Sequence, residues 1–348
     1  MSTTLRDIAK FAGVSVTTVS VVLRNDTKET ISPATRKRVV DAARTLNYQY
    51  NIHARTLRKG RSHIIGLLMT NFDYSVGLSR LRAIDCLLED RGFRALVRET
   101  YDIENNINQC IEEFLSNMVE GIILVQESSH IDSELIERVL SRNVPIITLE
   151  PLQNISVDCV TVDRRHGAYI AAKHLIEQGH RRIGLLHGLL TDYSISQRFL
   201  GYQRALQENG IDVDDSLLIP LYLGHPDNLK TPAERAYESV GHALQRGLNG
   251  MTALLCSSDI VVIGAMKAFS DANLRVPEDI AVVGFDNIEI GKFLPVPITT
   301  IEWPIDELAN MAVELLLGKI NKKDANSATK MITIRPKLII RESSTRII

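Results

Sequence analysis

Along residues 4–12, Leu5, Ile8, Ala9 and Ala12 recur at i, i+3, i+4 and i+7 with charge on the opposite side, which predicts a short amphipathic helix. Gly13 suits a tight or left-handed turn, and Ser15 can cap a second helix over residues 16–23 that turns Val19, Val22 and Leu23 inward. The same wheel turns Val16, Thr17, Ser20 and Val21 outward, a small and weakly polar face unlike the charged face of an ordinary surface helix. A third helix opens at Ser32-Pro33, a cap followed by proline in the first turn. It buries Val39, Ala42, Ala43 and Leu46 and leaves Arg36, Lys37, Arg38 and Arg44 outside. Three short helices with a glycine turn between the first two predict a small all-α helix-turn-helix head.

From residue 62 onward, apolar β-rich runs alternate with helical stretches. Strands are predicted at 63–69, 94–97, 121–125, 144–149 and 159–162, then at 182–188, 218–223, 252–256, 279–285 and near 337–341. This repetition predicts two doubly wound α/β lobes built on parallel sheets, whose sites lie beyond the carboxyl ends of the strands.

Charge sharpens the division. Residues 1–62 hold 12 Lys and Arg against 4 Asp and Glu, leaving 28 against 38 for the rest of a chain whose net charge is only -2. A basic head on an acidic body is the footprint of a nucleic-acid-binding module joined to something that does not bind nucleic acid. An outward face of Val16, Thr17, Ser20 and Val21 suits a major groove, where thymine methyls reward apolar contact and hydroxyls meet base edges. With no run of about 18 apolar residues, and with Arg6, Asp7 and Lys10 where a signal peptide needs an apolar core, a soluble cytoplasmic protein is expected. Cys86, Cys110, Cys159 and Cys256 stand singly and read as buried free thiols.

Enzyme signatures are missing: there is no dinucleotide glycine fingerprint after a strand, no phosphate loop, no nucleophile elbow and no zinc-protease helix motif. His174 and His180 are spaced too widely for a helical metal pair and read as a helix-surface residue and a residue past the helix end. No cofactor and no metal is expected.

The run TLRDIAKFAGVSVTTVSVVL, followed by ISPATRKRVVDAARTLNY and NIHARTLRKGRS, resembles the head and hinge of the lactose-repressor and galactose-repressor family of bacterial transcriptional regulators. The resemblance continues through VDRRHGAYIAAKHLIEQGHRRIGLLHG, RFLGY, RVPEDIAVVGFDN, PITTIEWP and RPKLIIRESS, so that it covers essentially the whole chain. It implies a head over 1–50, a hinge helix over 51–62 and a periplasmic-binding-protein-like effector and dimerisation domain over 63–348. Lobe one would take about 63–162 and 291–321, lobe two about 163–290 and 322–348. It also implies that Leu57 wedges into the minor groove of an operator; an apolar Leu57 between Arg55 and Arg58 fits a wedge flanked by phosphate clamps. Two departures stand out: Val21 replaces an arginine or other hydrogen-bonding residue of many members, and Tyr50 replaces the proline before the hinge asparagine.

Glu150, Arg198 and Asp286 stand at strand ends or loops that the resemblance assigns to a cleft between the lobes, with Asp73, Tyr74 and Ser258 as further candidates. Two carboxylates and a guanidinium suit vicinal hydroxyls and an anionic substituent, hence a sugar, sugar phosphate or nucleoside. The reading is an allosteric repressor. The rival is a small-molecule-binding protein or sugar-processing enzyme with an incidental basic head. Because the chain ends soon after its last predicted strand, without the leucine-heptad tail that makes some relatives tetramers, a homodimer is expected.

Overall fold

The computed structural model describes residues 3–23, 31–48, 61–69, 75–100, 104–125, 131, 133–152, 155–188, 190, 193–221, 230–321 and 328–345. The chain divides by its internal contacts into Met1–Ser62 and His63–Ile348.

In the first unit, α1 (Leu5–Ala12), α2 (Val16–Leu23) and α3 (Pro33–Thr45) form the helices. Each start has a side-chain cap that satisfies an otherwise orphaned amide. Thr4 and Asp7 form a reciprocal capping box, the Thr18 amide donates to Ser15 Oγ at 3.0 Å, and the Thr35 amide donates to Ser32 Oγ at 3.2 Å. Gly13 closes α1 at φ 64°, a conformation costly for any residue with a Cβ. Ile8, Ala9, Ala12, Val19, Val22, Val39 and Ala42 make the core, with Leu5, Leu23, Ala43 and Leu46 against it, as the periodicity predicts.

The second unit holds two six-stranded sheets. The first has the order β11-β5-β4-β3-β1-β2, from β1 (Ile64–Met69), β2 (Arg94–Glu99), β3 (Gly121–Leu124), β4 (Ile146–Thr148), β5 (Asp158–Val162) and β11 (Met331–Ile334). All its pairings are parallel. The second has the order β12-β10-β9-β8-β6-β7, from β6 (Ile183–His187), β7 (Leu218–Pro220), β8 (Ala253–Cys256), β9 (Ala281–Asp286), β10 (Thr299–Glu302) and β12 (Lys337–Ile339). Only β12 is antiparallel to its neighbour.

Helices cover both faces of each sheet, as buried parallel sheets require. The first is flanked by α4 (Ser75–Asp90) and α11 (Ile305–Ile320) on one side and by α5 (Glu104–Ser116) and α6 (Ser133–Ser141) on the other. The second is flanked by α7 (Arg164–Glu177) and α8 (Tyr193–Glu208), and by α9 (Pro232–Gln245) and α10 (Asp259–Asp271).

The lobe boundaries differ from expectation. Thr299–Glu302 was assigned to lobe one but pairs with β9 in the second sheet, and Met331–Ile334 was assigned to lobe two but pairs with β5 in the first. The described chain therefore crosses between Val162 and Arg164, between Glu302 and Ile305, and between Ile334 and Lys337, rather than near Ile290 and Asn321. Neither strand was predicted. The first reads TTIE, mostly polar, and β11 turns just one side chain fully inward, so local pattern alone cannot say which sheet offers the partner edge.

Helices α7 and α8 approach closely enough that a Cβ on Gly201 would meet the Arg165 carbonyl oxygen at 2.1 Å and the Ala168 Cβ at 2.9 Å. Because the obstacle is backbone, neither helix can yield by a rotamer change. Gly201→Ala is expected to lower stability by about 1–3 kcal/mol, read as a fall in the urea midpoint at constant slope.

Two expectations about reactive side chains are revised. Cys86 is exposed, whereas the other three cysteines are buried. His174 and His180 are buried and hydrogen-bonded, His174 Nε2 to Ser344 Oγ at 2.8 Å and His180 Nδ1 to Thr252 Oγ1 at 3.0 Å. No described helix is long and apolar enough to cross a membrane.

Candidate functional site

On the head, Val16 is 41% exposed, Thr17 is exposed and Ser20 and Arg36 are half-buried. Val21 is a correction: expected outward, it is buried at 3% exposure. At about 100° per residue it lies on the shoulder between Thr17 and Val22, and the covered side of this last turn includes it. Arg55 and Leu57 lie outside the described residues.

In the second unit, side chains from both lobes meet at the carboxyl ends of the strands. Asp286 ends β9 at φ 106°, and Asn287 follows at φ 52°. Two successive non-glycine residues at positive φ are strained, and surrounding bonds hold them there. The Ile288 amide donates to Asp259 Oδ2 at 3.0 Å, the Asn287 amide to Thr300 Oγ1 at 3.3 Å, and the Thr300 hydroxyl to Asp259 Oδ1 at 2.6 Å. Asn287 also spans Glu302 and Arg341, donating to Glu302 Oε1 at 2.8 Å and accepting from Arg341 at 2.6 Å. Gly284 makes room for this anchor, since a Cβ there would meet Asp259 Oδ1 at 2.1 Å. Burial, reinforced by the Asp286 carboxylate, raises the Asp259 pKa well above the ordinary carboxylate value.

Arg198, on α8, lies over the Phe285 ring at 4.9 Å and donates to the Ser194 carbonyl at 3.2 Å. Burial raises the Asp286 pKa; Arg198, Arg80, the Trp303 indole and Arg164 each oppose that rise. Asp286 also lines a cavity of about 650 Å³ with Val76, Ser79, Ile260, Ile288 and Ile305 among its walls.

Glu150 stands elsewhere in the chemistry than expected. It is 2% exposed and ion-paired to Arg164 and, at 3.7 Å, to Arg80. Thr161 adds a hydroxyl to Glu150 Oε2 at 3.4 Å and itself accepts from Arg164 at 3.2 Å. The carboxylate is thus committed to two buried guanidiniums, both of which stack on Trp303, Arg80 at 4.3 Å and Arg164 at 4.7 Å from the ring centroid. Ser258 caps α10, accepting from the Val261 amide at 3.4 Å. Asp73 and Tyr74 lie outside the described residues.

Sequence reasoning missed Arg80, Arg164, Trp303 and Asp259. Arg80 had a legible signal, because it occupies the same helical stripe as the fully buried Ile84 and Leu88, where a cation is out of place without a partner. Trp303, the single tryptophan, follows a strand that was not recognised.

Comparison with known proteins fits this architecture. Residues 4–51 match the bacterial regulatory proteins of the lacI family, and residues 172–344 match a periplasmic-binding-protein-like domain. The chain is 30% identical over 346 residues to the HTH-type transcriptional repressor PurR of Mannheimia succiniciproducens, covering 99% of both chains. It is 31% identical to the HTH-type transcriptional regulator GalR of Escherichia coli, covering 98% of this chain and 95% of that one. The crystal structure of the Lac repressor dimer bound to operator and the anti-inducer ONPF superposes with a TM-score of 0.82 at 25% identity, over 99% of this chain and 100% of that one. The helix-turn-helix head, the two-lobed body and these end-to-end likenesses agree: the chain belongs to the lacI family of bacterial regulatory proteins, DNA-binding transcriptional repressors under allosteric control by small molecules, and is not an enzyme.

Proposed function

We propose that this chain acts in the cytoplasm as a homodimeric repressor of a near-palindromic operator, switched by a small polar ligand held between its lobes. The convergence of Asp286, Arg198, Arg80 and Arg164 from both lobes on one strand-end cleft carries the reading. The ligand has the size and polarity of a sugar, sugar phosphate or nucleoside. Asp286 and Arg198 grip it directly, with Asp73, Tyr74 and Ser258 as further contacts, and Glu150 acts through the arginines it holds. Closure changes the angle between lobes and so the distance between paired hinges, which shifts operator affinity only as far as the ligand prefers one state.

On the head, Val16, Thr17 and Ser20 read base edges, Arg36 and Arg55 meet phosphates, and Leu57 unstacks the central step. Full-length protein is tested by fluorescence anisotropy on a randomised-then-selected operator. Leu57→Ala is expected to weaken operator binding at least about tenfold, a loss of about 1.4 kcal/mol, with ligand affinity unchanged. Equal operator binding by mutant and wild type would remove the wedge from the mechanism, and failure to select any operator would remove the repressor reading for this chain.

A further inference from the structure

The turn that carries Asp286 lies where the lobes are joined. In register, Asp286 at the end of β9 neighbours Glu302 at the end of β10, and Glu302 neighbours Lys337 at the start of β12. Glu302 is the last strand residue before the second crossing, and Lys337 is the first after the third. One end of the second sheet thus holds the candidate ligand carboxylate beside two of the connections between lobes, at strand spacings of about 5 Å.

Asn287 reaches across this row. Its side-chain amide donates to Glu302 Oε1 at 2.8 Å, and its side-chain oxygen accepts from the Arg341 guanidinium at 2.6 Å. The partners fix which way the amide faces, since a carboxylate accepts and a guanidinium donates. Arg341 is itself braced against the start of β10: it donates to the Ile298 carbonyl at 2.6 Å, and its backbone N–H and C=O both bond Thr299 Oγ1, at 2.9 and 2.8 Å. The bridge therefore runs from a fixed arginine, through the asparagine, to the carboxylate at the second crossing. Both bonds have a charge-bearing partner, the stronger kind, and all three residues are half-buried. An asparagine suits the place twice over, because it tolerates φ 52° better than most side chains and because its short amide offers a donor and an acceptor from one plane.

We propose that Asn287 is a positioning residue that ties the Asp286 turn to the second and third crossings, so that a ligand gripped by Asp286 acts on the angle between the lobes through Glu302. The inference rests on the cleft being the effector site and assigns the route by which that site reaches the hinge. The Asp259 and Thr300 bonds hold the turn to its own lobe, whereas Glu302 is the partner that stands at a crossing. A strained turn pinned on both sides has little freedom to absorb a shift of Asp286 locally, so the shift passes to the residues bonded to it.

The test is hydrogen exchange of the full-length chain without added ligand, read by mass spectrometry with fragmentation to short segments. Asn287→Gly removes the bridge and keeps a residue that adopts φ 52° without strain. It is expected to speed exchange at least about tenfold in segments 302–305 and 335–338, while amides of β6 and β8, in the same sheet, stay within about twofold of the wild type. Coupling is reciprocal, so Glu302→Ala should speed exchange at Asn287 and Ile288 by a similar factor. Glu302→Gln keeps an acceptor oxygen and should stay within about threefold of the wild type there. Unchanged exchange at either crossing in Asn287→Gly overturns the proposal, because the turn is then not tied to it. Equal acceleration in β6 and β8 overturns it as well, being the mark of a general loss of stability. So does equal exchange at the turn in Glu302→Gln and Glu302→Ala, which takes the effect away from the Asn287 bond. No effector is added, so each of these failures leaves the cleft reading standing; the cleft reading fails separately, on a wild-type ligand midpoint in Asp286→Ala.

Discussion

An Asp286→Ala chain is expected to fold, to bind operator as the wild type does, and to lose its response at the effector concentration that switches the wild type, needing at least about tenfold more. The expectation follows from where Asp286 sits. Its carboxylate projects from a strained turn fixed by the Asp259, Thr300 and Asn287 bonds, beside Arg198 and within reach of Arg80 and Arg164. A charged group that accepts ligand hydroxyls contributes about 1.5–3 kcal/mol per hydrogen bond, so removing it costs at least about tenfold in affinity and more if two bonds are lost. The head lies in a separate unit, so its operator binding has no reason to change. Anisotropy of labelled operator across a ligand titration reads the result. With an inducing ligand the variant stays on DNA; with a corepressing one it stays off, so the substitution also fixes the sign of control. A folded variant with the wild-type ligand midpoint would place the effector elsewhere.

Glu150→Ala should have the largest effect on stability of any substitution in the cleft. It would leave Arg80 and Arg164, both nearly inaccessible to water, without their shared counter-charge. Breaking a buried ion pair from one side costs about 3–5 kcal/mol, a large share of the roughly 5–15 kcal/mol that holds a domain folded. The urea midpoint is the measurement. Unchanged stability with lost ligand affinity would instead return Glu150 to direct ligand contact.

These two expectations also mark how far the sequence reaches. The head was legible almost residue by residue, because a three-helix unit of short range declares most of its caps, its glycine turn and its apolar stripes locally: Ser15, Ser32 and Gly13 do in the structure what their positions imply. Val21 escaped, since on an eight-residue apolar helix the wheel cannot tell shoulder from open face. Most buried strands were legible for the same reason, whereas β10 and β11 were not, because TTIE is mostly polar in sequence and β11 turns a single side chain fully inward, so that only the sheet edge they meet identifies them. Asp286 could be placed at a strand end from the sequence, whereas Arg198, read as a strand-end or loop residue, lies inside α8. What Glu150 does in the cleft could not be read. A carboxylate at a strand end reads as a ligand contact until tertiary structure brings Arg80 from α4 and Arg164 from α7 onto it and onto Trp303. Periodicity records which side chains turn inward, and these four come from separate segments of the chain; only their packing decides which charges meet, and burial makes that meeting matter.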